Sequence, residues 1–582
     1  MRQQYHRLPL LSLFTVSVLS ACGGPVPRAW SMRGRAESVD GPQAMVVSGH
    51  PIASRVGLRI LRSGGNAVDA AVAVGFALAV VHPAAGNIGG GGFMVFRFAD
   101  GTTAALDYRE IAPAAATPDM YVDSLGGVTT ASVEGHLASG VPGSVAGLAE
   151  AHARYGRLPW ADVVRPAINL AVDGFAIDET RHRSIASAAR RLSQFEASRR
   201  QFLVNDSAPP VGHVLRQTDL ALTLATIARD GPDGFYRGWI ADSIVAEMRR
   251  GGGLITHADI AAYRALWRDP VVFTYRGHTI YSMPPSSSGG VTLALMLNML
   301  EGWDSLPPFG SPEHLHRLSE VMARAFVDRN QYLGDPAFIN NPVTTLTSQE
   351  YADRRRATIT DRHTPSAEVV PGLVEGEHTT HYSVVDAQGN AVAVTTTIND
   401  SYGSAVTVTG AGFLLNDEMD DFTSAPGRPN MYGLIQGEAN AIRGHKRMLS
   451  AMTPTIITDR QGRTMLILGS PGGPTIISTL AQVISNVIDH GMTLAEAIEA
   501  PRVHHQHLPD SLRYEPNGFT RRVMRQLAAR GHAPAMRRDI SGEVSAIGRG
   551  TSGWVGVADP RRGGGAAVYL YPAAPSLISS RA

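Results

Sequence analysis

The chain has 582 residues, 52 basic and 51 acidic side chains, and a formal net charge of +1 with its histidines neutral. Its length could hold several domains. It contains no basic run with interleaved aromatic residues, so nothing points to a nucleic-acid partner. Cys22 is the only cysteine, which excludes an intramolecular disulfide.

The start of the chain predicts a targeting segment. Basic residues precede an apolar stretch over residues 8–19, which is too short to span a bilayer comfortably. The stretch leads into Leu-Ser-Ala-Cys, ending at Cys22, which looks like a bacterial lipobox. We therefore expect a lipoprotein signal peptide over residues 1–21 and lipid attachment to the Cys22 thiol. The alternative is an ordinary signal peptide with an incidental cysteine.

The residues after this cysteine extend the prediction. Gly23 stands where an aspartate would resemble an inner-membrane retention signal, so the sequence favours the outer membrane of a bacterial envelope, facing the periplasm. Residues 22–40 include several glycines and prolines and predict a flexible tether. The rest of the chain would then reach the membrane only through its lipid.

The first elements after the tether alternate between short strands and helices. Residues 67–81 are apolar almost all round, with Asp69 the one charge, which predicts a buried helix. The glycine-rich residues 86–92 are followed by a strand-like run, 93–98. A dinucleotide-binding loop needs a helix after its glycines, so close packing of the backbone is the better explanation for them.

Further elements follow the same mixed pattern. Ser144 is placed as the N-cap of the first of several predicted helices. The helices are predicted at residues 145–155, 160–171, 312–332, 475–489 and 494–499, and strands within residues 381–398 and at 406–415, 454–458 and 464–469. Strands and helices mixed on this scale suit a layered α/β or α+β architecture.

The residues around Thr379 predict a catalytic nucleophile. A threonine hydroxyl is a poor nucleophile unless a base lies beside it, and a threonine that becomes a new N-terminus can use its own α-amine. That requires cleavage between His378 and Thr379. Residues 362–378 are polar and turn-prone, which suits an exposed segment at a cleavage site.

A predicted hairpin follows Thr379 directly. Strand-like runs at 382–386 and 391–398 flank a turn at 387–390. Pairing Asp386 with Ala391 puts Ile398 opposite Thr379, or Thr397 if the register slips by one. Either register returns polar side chains to the predicted new terminus.

The motifs of the chain, in their order, resemble the γ-glutamyltranspeptidase family of N-terminal-nucleophile hydrolases. The resemblance covers nearly all of residues 40 to 562. It rests on residues 64–71, 89–93, 107–113, 282–285, 328–329, 332–336, 379–386, 419–422 and 469–473.

This resemblance implies a fold and an organisation. The fold would be α+β, a four-layer αββα sandwich of the N-terminal-nucleophile hydrolase type, formed jointly by two chains after self-cleavage. The large subunit would span residues 41–378 and the small, catalytic subunit residues 379–582.

The resemblance also implies an activity. A γ-glutamyl group would pass from glutathione or a related compound to the threonine as an ester, then to water or to an amino-acid or dipeptide acceptor. The family uses no cofactor and no metal. The membrane, through lipidated Cys22, and the two subunits of one precursor would be the other partners.

The catalytic residues are carried over from the family one by one. Thr379 would attack, and its freed amine would be the base, since an α-amine has an unperturbed pKa of about 7.7–8.0. Thr397 would hydrogen-bond to the nucleophile, although strand propensity alone also explains a threonine there. Gly472 and Gly473 match the oxyanion-hole glycines, whose N–H groups approach the developing negative charge. Without the family they would indicate only a turn.

The substrate-binding residues are carried over in the same way. Arg109 would clamp the α-carboxylate of the donor; the alternative is a structural ion pair with Asp107 or Glu110. Ser450 resembles a second carboxylate contact. Three further residues match positions that receive the α-ammonium group: Asn399, Glu418 and Asp421.

Two features bear on the range of substrates. Tyr432 matches a gating tyrosine in a lid-like segment, residues 429–447, which favours small γ-glutamyl donors. The family's usual pair of serines is Ser450-Ala451 here, so a second hydroxyl is missing, which bears on affinity or substrate range more than on catalysis.

Three histidines, His504, His505 and His507, are close enough in sequence to raise the question of a metal. Their spacing is a weak signal, and no carboxylate cluster in the sequence completes a ligand set. We therefore predict no metal site there.

Two alternatives use the same chain differently. An acylase for glutaryl-type side chains would share the nucleophile, but a glutaryl group has no ammonium for Glu418 and Asp421 to bind. An inactive lipoprotein could keep the fold as a binding scaffold. The intact Thr379, Thr397 and glycine pair argue against that second alternative.

Overall fold

The computed structural model describes residues 24–369, 380–423, 438–537, 542–562 and 565–570. Four predicted functional residues, Cys22, His378, Thr379 and Tyr432, lie outside these ranges. No helix among the described residues combines the length and the apolar character that a membrane crossing would need.

Within the described residues, two seven-stranded antiparallel sheets form the centre of the molecule. Sheet I has the order β19 (Ala566–Leu570), β2 (Ala44–Ser48), β10 (Thr380–Val385), β11 (Ala391–Thr397), β3 (Gly91–Arg97), β4 (Thr103–Asp107), β7 (Leu266–Arg268). Sheet II has the order β1 (Ser38–Gly41), β18 (Trp554–Ala558), β17 (Ser545–Arg549), β13 (Thr464–Leu468), β12 (Thr455–Thr458), β9 (His278–Ser282), β8 (Val271–Tyr275).

Helices cover the outer face of sheet I and bury one large apolar core there. They are α1 (Pro51–Arg62), α2 (Ala67–Val81), α3 (Ser144–Tyr155), α4 (Trp160–Asp173), α5 (Glu179–Leu192), α6 (Glu196–Phe202), α7 (Thr218–Asp230), α8 (Asp233–Tyr236), α9 (Gly238–Gly251) and α10 (His257–Ala262). The short strands β5 (Phe175–Ala176) and β6 (Val214–Leu215) pair at their margin.

A second core fills the space between the sheets and extends to the helices beyond sheet II. These are α11 (Gly289–Glu301), α12 (Pro312–Tyr332), α13 (Val343–Leu346), α14 (Gln349–Arg356), α15 (Pro474–Ile488), α16 (Leu494–Glu499) and α17 (Arg521–Ala529). A small sheet of β14 (Val503–His504), β15 (Leu512–Tyr514) and β16 (Pro534–Met536) lies on the same side. The predicted four-layer αββα sandwich is confirmed.

Helix α2 has the predicted bounds, and every one of its residues is buried. Asn66 and Asp69 form a capping box at its start. The Asp69 carboxylate also accepts the backbone N–H groups of Arg157 and Leu158 at 2.9 and 3.3 Å. The one charge in an apolar helix is therefore satisfied by backbone donors, as burial requires.

The glycines before β3 serve close packing, as predicted. A Cβ at Gly89 would overlap the carbonyl oxygen of Leu414, and one at Gly90 the carbonyl oxygen of Thr397. Both neighbours are backbone and have little freedom to move. The chain can pass here only because these positions lack side chains.

Two predictions of local structure are wrong. Ser144 is not an N-cap: it is the first residue of α3, and its hydroxyl donates to Asn87 Oδ1 at 2.6 Å. Residues 406–415 do not form a strand. Gly410 and Gly412 have φ angles of 78° and 74°, which turn the chain back on itself, and only an isolated bridge joins Thr407 to Leu414.

The central hairpin forms in the slipped register. Val385 pairs with Ala391 and Thr380 with Thr396, so the pairing of Asp386 with Ala391 is wrong by one residue. Asp386 instead caps the turn, where its Oδ1 accepts the backbone N–H groups of Gln388 and Asn390 at 3.0 Å each.

Candidate active site

One edge of sheet I brings the predicted site residues together. Strand β10 begins there at Thr380, and β11 ends there at Thr397, opposite Gly91 at the start of β3. In an antiparallel sheet these ends are neighbours. The polar residues that leave β11 therefore lie beside the start of β10.

Backbone and amide groups fix Thr397 at this edge. The backbone N–H of Asn399 donates to Thr397 Oγ1 at 2.8 Å, and the Asn87 amide donates to the Thr397 carbonyl at 2.8 Å. Asn399 adopts the left-handed conformation with φ 69°, which asparagine tolerates better than most residues. Its own amide donates to the carbonyl oxygen of Asp417 at 3.0 Å.

A glycine turn from sheet II faces the same edge. Gly469 packs so tightly against His381 of β10 that a Cβ would overlap the imidazole ring. Gly472 and Gly473 have φ angles of 128° and 54°, and α15 begins at the next residue. The turn therefore presents the positive end of a helix dipole beside β10.

The backbone N–H groups of this glycine turn are available to donate to a bound substrate. Among the described residues, neither the Gly472 nor the Gly473 backbone N–H donates to an acceptor. The Thr475 hydroxyl donates to the Gly472 carbonyl at 2.7 Å and holds the turn open. A Cβ at Gly472 would lie 2.5 Å from that hydroxyl, so glycine is required here.

Arg109 lies fully buried between carboxylates. Its Nη1 is 2.6 Å from Glu418 Oε2, and its Nη2 bonds to Asp421 Oδ2. Its Nε donates to the carbonyl oxygen of Met448 at 3.3 Å. Glu110 is farther away, 3.5 Å from Nη1. The alternative pair with Asp107 does not form through the side chain, because Asp107 binds the guanidinium groups of two other arginines.

The carboxylates around Arg109 sit on a short, firmly held segment. Residues 418–421 form one 3-10 turn. Asn416 Oδ1 accepts the Glu418 backbone N–H at 3.1 Å, and the Asn440 amide donates to the Asp421 carbonyl at 2.6 Å. These contacts aim both acids at Arg109.

Carboxyl groups outnumber guanidinium groups around Arg109. Burial raises the pKa of Glu110, of Glu418 and of Asp421, although the Arg109 guanidinium opposes the rise in each case, and so does the charge of Arg329 at Asp421. These cations do not offset the burial of three neighbouring carboxyl groups. The site is therefore suited to receive an additional cation.

Ser450 lies next to this cluster and contacts two other serines, Ser287 and Ser288. Its carbonyl accepts hydroxyls from Ser287 and Ser288 at 3.3 and 2.7 Å, and its own hydroxyl accepts the Met452 N–H at 3.2 Å. Arg329 donates to the Ser288 hydroxyl at 2.7 Å and is itself buried. Arg329 belongs to the motif at residues 328–329, but the sequence alone does not indicate a role for it.

The three histidines do not converge. His504 bonds to Ser478 and Gln506, whereas His505 lies 3.3 Å from Asp510. Asp510 is a carboxylate that the sequence analysis did not foresee. The His507 backbone N–H occupies Nδ1 of His505, so Nε2 carries the proton and donates to Asp510. His363, His505 and Asp510 bring possible metal-ligand atoms within 4.8 Å of one another, and of the three predicted histidines only His505 belongs to this group.

The layered fold and an edge with a glycine turn define the class of N-terminal-nucleophile hydrolases. A crystal structure of cephalosporin acylase from Bacillus halodurans matches with a TM-score of 0.83 and 27% identity, over 94% of this chain and 99% of that chain. A γ-glutamyltranspeptidase from Helicobacter pylori matches with a TM-score of 0.54 and 44% identity, over 55% of this chain and 93% of that chain.

Sequence comparison narrows the class to a family. A sequence model described as gamma-glutamyltranspeptidase matches residues 53–569, and the chain belongs to that family. A glutathione hydrolase proenzyme of Escherichia coli (strain K12) is 45% identical over 95% of this chain and 97% of its own length. An Acylase ACY 1 proenzyme of Pseudomonas sp. (strain V22) is 39% identical over 90% of this chain and 93% of its own length.

Proposed function

We propose that the chain is a self-processing γ-glutamyltranspeptidase. It hydrolyses glutathione and related γ-glutamyl compounds, or passes their γ-glutamyl group to an amino-acid or dipeptide acceptor. The observation that carries this proposal is the pairing of buried Arg109 with Glu418 and Asp421. Every γ-glutamyl donor carries an α-carboxylate and an α-ammonium on the same carbon. Arg109 can bind the carboxylate, and the two acids can bind the ammonium.

Thr379 is the proposed nucleophile, released as a new N-terminus by cleavage after His378. The observed ladder supports its partner: Thr380 pairs with Thr396, and the same register continued by one residue would put Thr397 opposite position 379. The Thr397 hydroxyl, fixed by the Asn399 N–H, would then orient the Thr379 hydroxyl.

The reaction proceeds in two acyl transfers. The α-amine of Thr379 takes the hydroxyl proton as Oγ attacks the γ-carbonyl carbon. The N–H groups of Gly472 and Gly473 hold the oxyanion, and the helix dipole of α15 adds to the stabilisation. The C–N bond of the donor then breaks, and the leaving amine takes the proton from the Thr379 α-ammonium. A γ-glutamyl ester remains on Thr379.

Donor recognition uses the charge cluster. The donor α-carboxylate binds Arg109, with the Ser450 hydroxyl as a second contact. The α-ammonium binds Glu418, Asp421 and the Asn399 amide, which relieves the excess of carboxylates there. By its resemblance to the family's gating tyrosine, Tyr432 is the proposed gate for the donor.

The acylase alternative demands a different charge balance. A glutaryl group brings a carboxylate or an amide but no ammonium. It would bring no second cation to Glu418 and Asp421, which share the single guanidinium of Arg109. The observed cluster therefore favours a γ-glutamyl donor over a glutaryl donor.

The decisive experiment compares two chromogenic amides, γ-glutamyl-p-nitroanilide and glutaryl-p-nitroanilide. We expect the wild type to prefer the γ-glutamyl amide in kcat/KM, and Asp421→Ala to narrow the gap. A wild-type preference for the glutaryl amide, or equal losses on both amides in Asp421→Ala, would replace this proposal with the acylase alternative.

Anchoring is proposed through a lipid on Cys22, in the envelope of a bacterial cell and facing the periplasm. Two acyl chains bind a membrane far more firmly than one. Cys22→Ser should lose metabolic labelling by palmitate and move to the soluble fraction. Retention of the variant in the membrane fraction would rule the lipid anchor out.

A further inference from the structure

Two histidines and an aspartate converge outside the proposed active site. His363 follows α14, whereas His505 and Asp510 lie in the loop between β14 and β15. One nitrogen of each ring and one carboxylate oxygen lie within 4.8 Å of one another. His363 Nε2 is 2.9 Å from Asp510 Oδ1, and His505 Nε2 is 3.3 Å from the same oxygen. Two nitrogens and one oxygen therefore surround a common point.

The spacing of these atoms is close to that of ligands on one metal ion. Zinc binds imidazole nitrogen at about 2.0–2.1 Å and carboxylate oxygen at about 2.0–2.2 Å, so tetrahedral ligands lie about 3.3 Å apart. The observed contacts of 2.9 and 3.3 Å need only small shifts to admit the ion. Two imidazoles and one carboxylate form a set that zinc uses with water in its fourth position.

The outer contacts of the group orient its ligands as a metal site requires. His363 donates through Nδ1 to Glu320 Oε1 at 2.7 Å, and Arg324 holds the other oxygen of Glu320 at 2.6 Å. A carboxylate behind a histidine fixes the ring and aims its other nitrogen at the metal. Asp510 accepts the Ser366 N–H on Oδ2 at 3.0 Å, which leaves Oδ1 for the group.

Solvent reaches the group through Asp510. The side chain of this aspartate is 36% exposed, whereas the side chains of His363 and His505 are 5% and 1% exposed. An ion can therefore enter past the carboxylate and keep a water as its fourth ligand, while the two rings stay buried.

A neighbouring group of side chains is less suited to a metal. His316, Glu320 and His532 also bring possible ligand atoms within 4.8 Å of one another. However, His316 Nδ1 and His532 Nε2 hydrogen-bond to each other at 2.8 Å, and the oxygens of Glu320 bind Arg324 and His363. All three residues are buried. They therefore support the first group from behind.

We propose that His363, His505 and Asp510 form a site for a divalent transition-metal ion, with zinc the best match. The ion binds Nε2 of each histidine and Oδ1 of Asp510. It displaces to solvent the proton that His363 otherwise donates to Asp510. At His505 the proton moves from Nε2 to Nδ1, and the 3.2 Å contact from the His507 N–H is given up.

The site joins distant parts of the chain. His363 comes about 140 residues before its two partners, and of the histidine run at residues 504–507 only His505 takes part. The spacing of that run could not indicate the set for this reason. The groups assigned above to the reaction are not among the ligands, so the ion is structural and its binding does not depend on the proposed function.

The test uses protein without a histidine tag, freed of metal with EDTA, loaded with Zn²⁺ and dialysed. We expect elemental analysis to find one ion per chain. The Tm should be higher with zinc than in EDTA, because an ion that binds the folded form stabilises it. Co²⁺ in place of zinc should give the intense visible absorption of a tetrahedral site.

Variants locate the ion. His363→Gln and Asp510→Asn should each weaken zinc binding by about a hundredfold or more, since even the outer partners of a metal ligand are worth about 10–100-fold in affinity. Asp510→Asn keeps the size of a partly exposed side chain and so tests the site even if His363→Gln does not fold. The matched control is His257→Gln, which removes an exposed histidine 2.8 Å from Asp242 and should bind zinc as wild type does.

Three results would overturn the proposal. The wild type could retain no zinc after dialysis. His363→Gln and Asp510→Asn could bind zinc as tightly as the wild type. Zinc could also be lost only in His532→Gln, which would move the ion to the neighbouring group.

Discussion

Arg109 illustrates how much a single side chain can be understood from the sequence. Its identity as a buried cation next to acids could be predicted from the motif at residues 107–113. Its partners could not, because Glu418 and Asp421 are about 310 residues away and only the fold brings them together. Arg329, buried behind Ser288, was missed for the same reason.

Replacing Arg109 should impair the donor reaction but not the processing of the chain. Removing one partner of a buried charge pair costs about 2–5 kcal/mol, so Arg109→Met should lower kcat/KM for glutathione by about thirtyfold or more. Self-cleavage should be largely spared, since the scissile peptide carries no free α-amino acid. Steady-state kinetics and a denaturing gel of one preparation measure both.

One result would contradict a role of Arg109 in donor binding. Loss of self-cleavage together with activity would make Arg109 structural, and its ion pairs with Glu418 and Asp421 would then serve folding. Asp173→Ala, an exposed carboxylate at the end of α4, is the control and should match wild type.

Gly472→Ala tests the glycine turn. An added Cβ meets the Thr475 hydroxyl, and φ of 128° is unfavourable for alanine. Displacing an oxyanion donor costs about 2.7–4 kcal/mol in a well-studied case, so kcat should fall about a hundredfold or more. Gly462→Ala, with φ of 77° and open space around its Cβ, carries only the backbone strain. Equal kcat values in the two variants would contradict the role of the turn.

Among helices and strands, the bounds of long periodic segments could be predicted from the sequence. The effect of turn glycines and of a polar side chain near a turn could not. Helices α2 and α12 have their predicted bounds because apolar spacing decides them. The strand at 406–415 fails because two glycines with positive φ reverse the chain. The hairpin register slips by one because Asp386 lies opposite Asn390, to whose carbonyl its N–H donates at 3.1 Å, while its carboxylate accepts N–H groups of the turn.

A histidine joins elements from the two predicted subunits. His363, after α14, donates through Nδ1 to Glu320 at 2.7 Å and through Nε2 to Asp510 at 2.9 Å. Burial opposes its charge, but the hydrogen bonds and charges of the two acids outweigh burial and raise the pKa of His363. Against burial, the hydrogen bond from His363 and the charge of Arg324 lower the pKa of Glu320 to about 2. The hydrogen bonds from His505 and the Ser366 N–H, with the charge of His363, lower the pKa of Asp510.

These shifts predict a window of pH. The stability due to His363 is fully present below its unfolded pKa of about 6.5 and is lost as the pH rises through its raised folded pKa. The stability due to the two acids is present above their unfolded pKa values of about 4 and is lost as the pH falls. The Tm difference between wild type and His363→Gln should therefore be largest between about pH 4.5 and 6.5 and shrink on either side. A difference that does not change with pH would contradict this.

At the scale of the whole molecule, the predicted subunits are not separate domains. In sheet I, β10 pairs with β2 and β11 with β3, so the hairpin from after residue 379 lies between strands from before it. The chain order alone could not indicate this interleaving. The cut would leave every one of these ladders intact.

The two pieces should consequently stay together after processing. We expect residues 22–378 and 379–582 to elute as one species in size-exclusion chromatography and to separate only in denaturant, because both cores contain side chains from each piece. Separation under native conditions would contradict the interleaved sheet as the form of the mature protein.

The central claim is that Thr379 becomes the N-terminal nucleophile of its own chain. N-terminal sequencing of the smaller band of purified protein on a denaturing gel tests it most directly. We expect the sequence to start Thr-Thr-His-Tyr-Ser at Thr379 without added protease, and Thr379→Ala to remain a single chain. A wild type that stays uncut, a band that starts at another residue, or a Thr379→Ala protein that still splits at the same bond would contradict it.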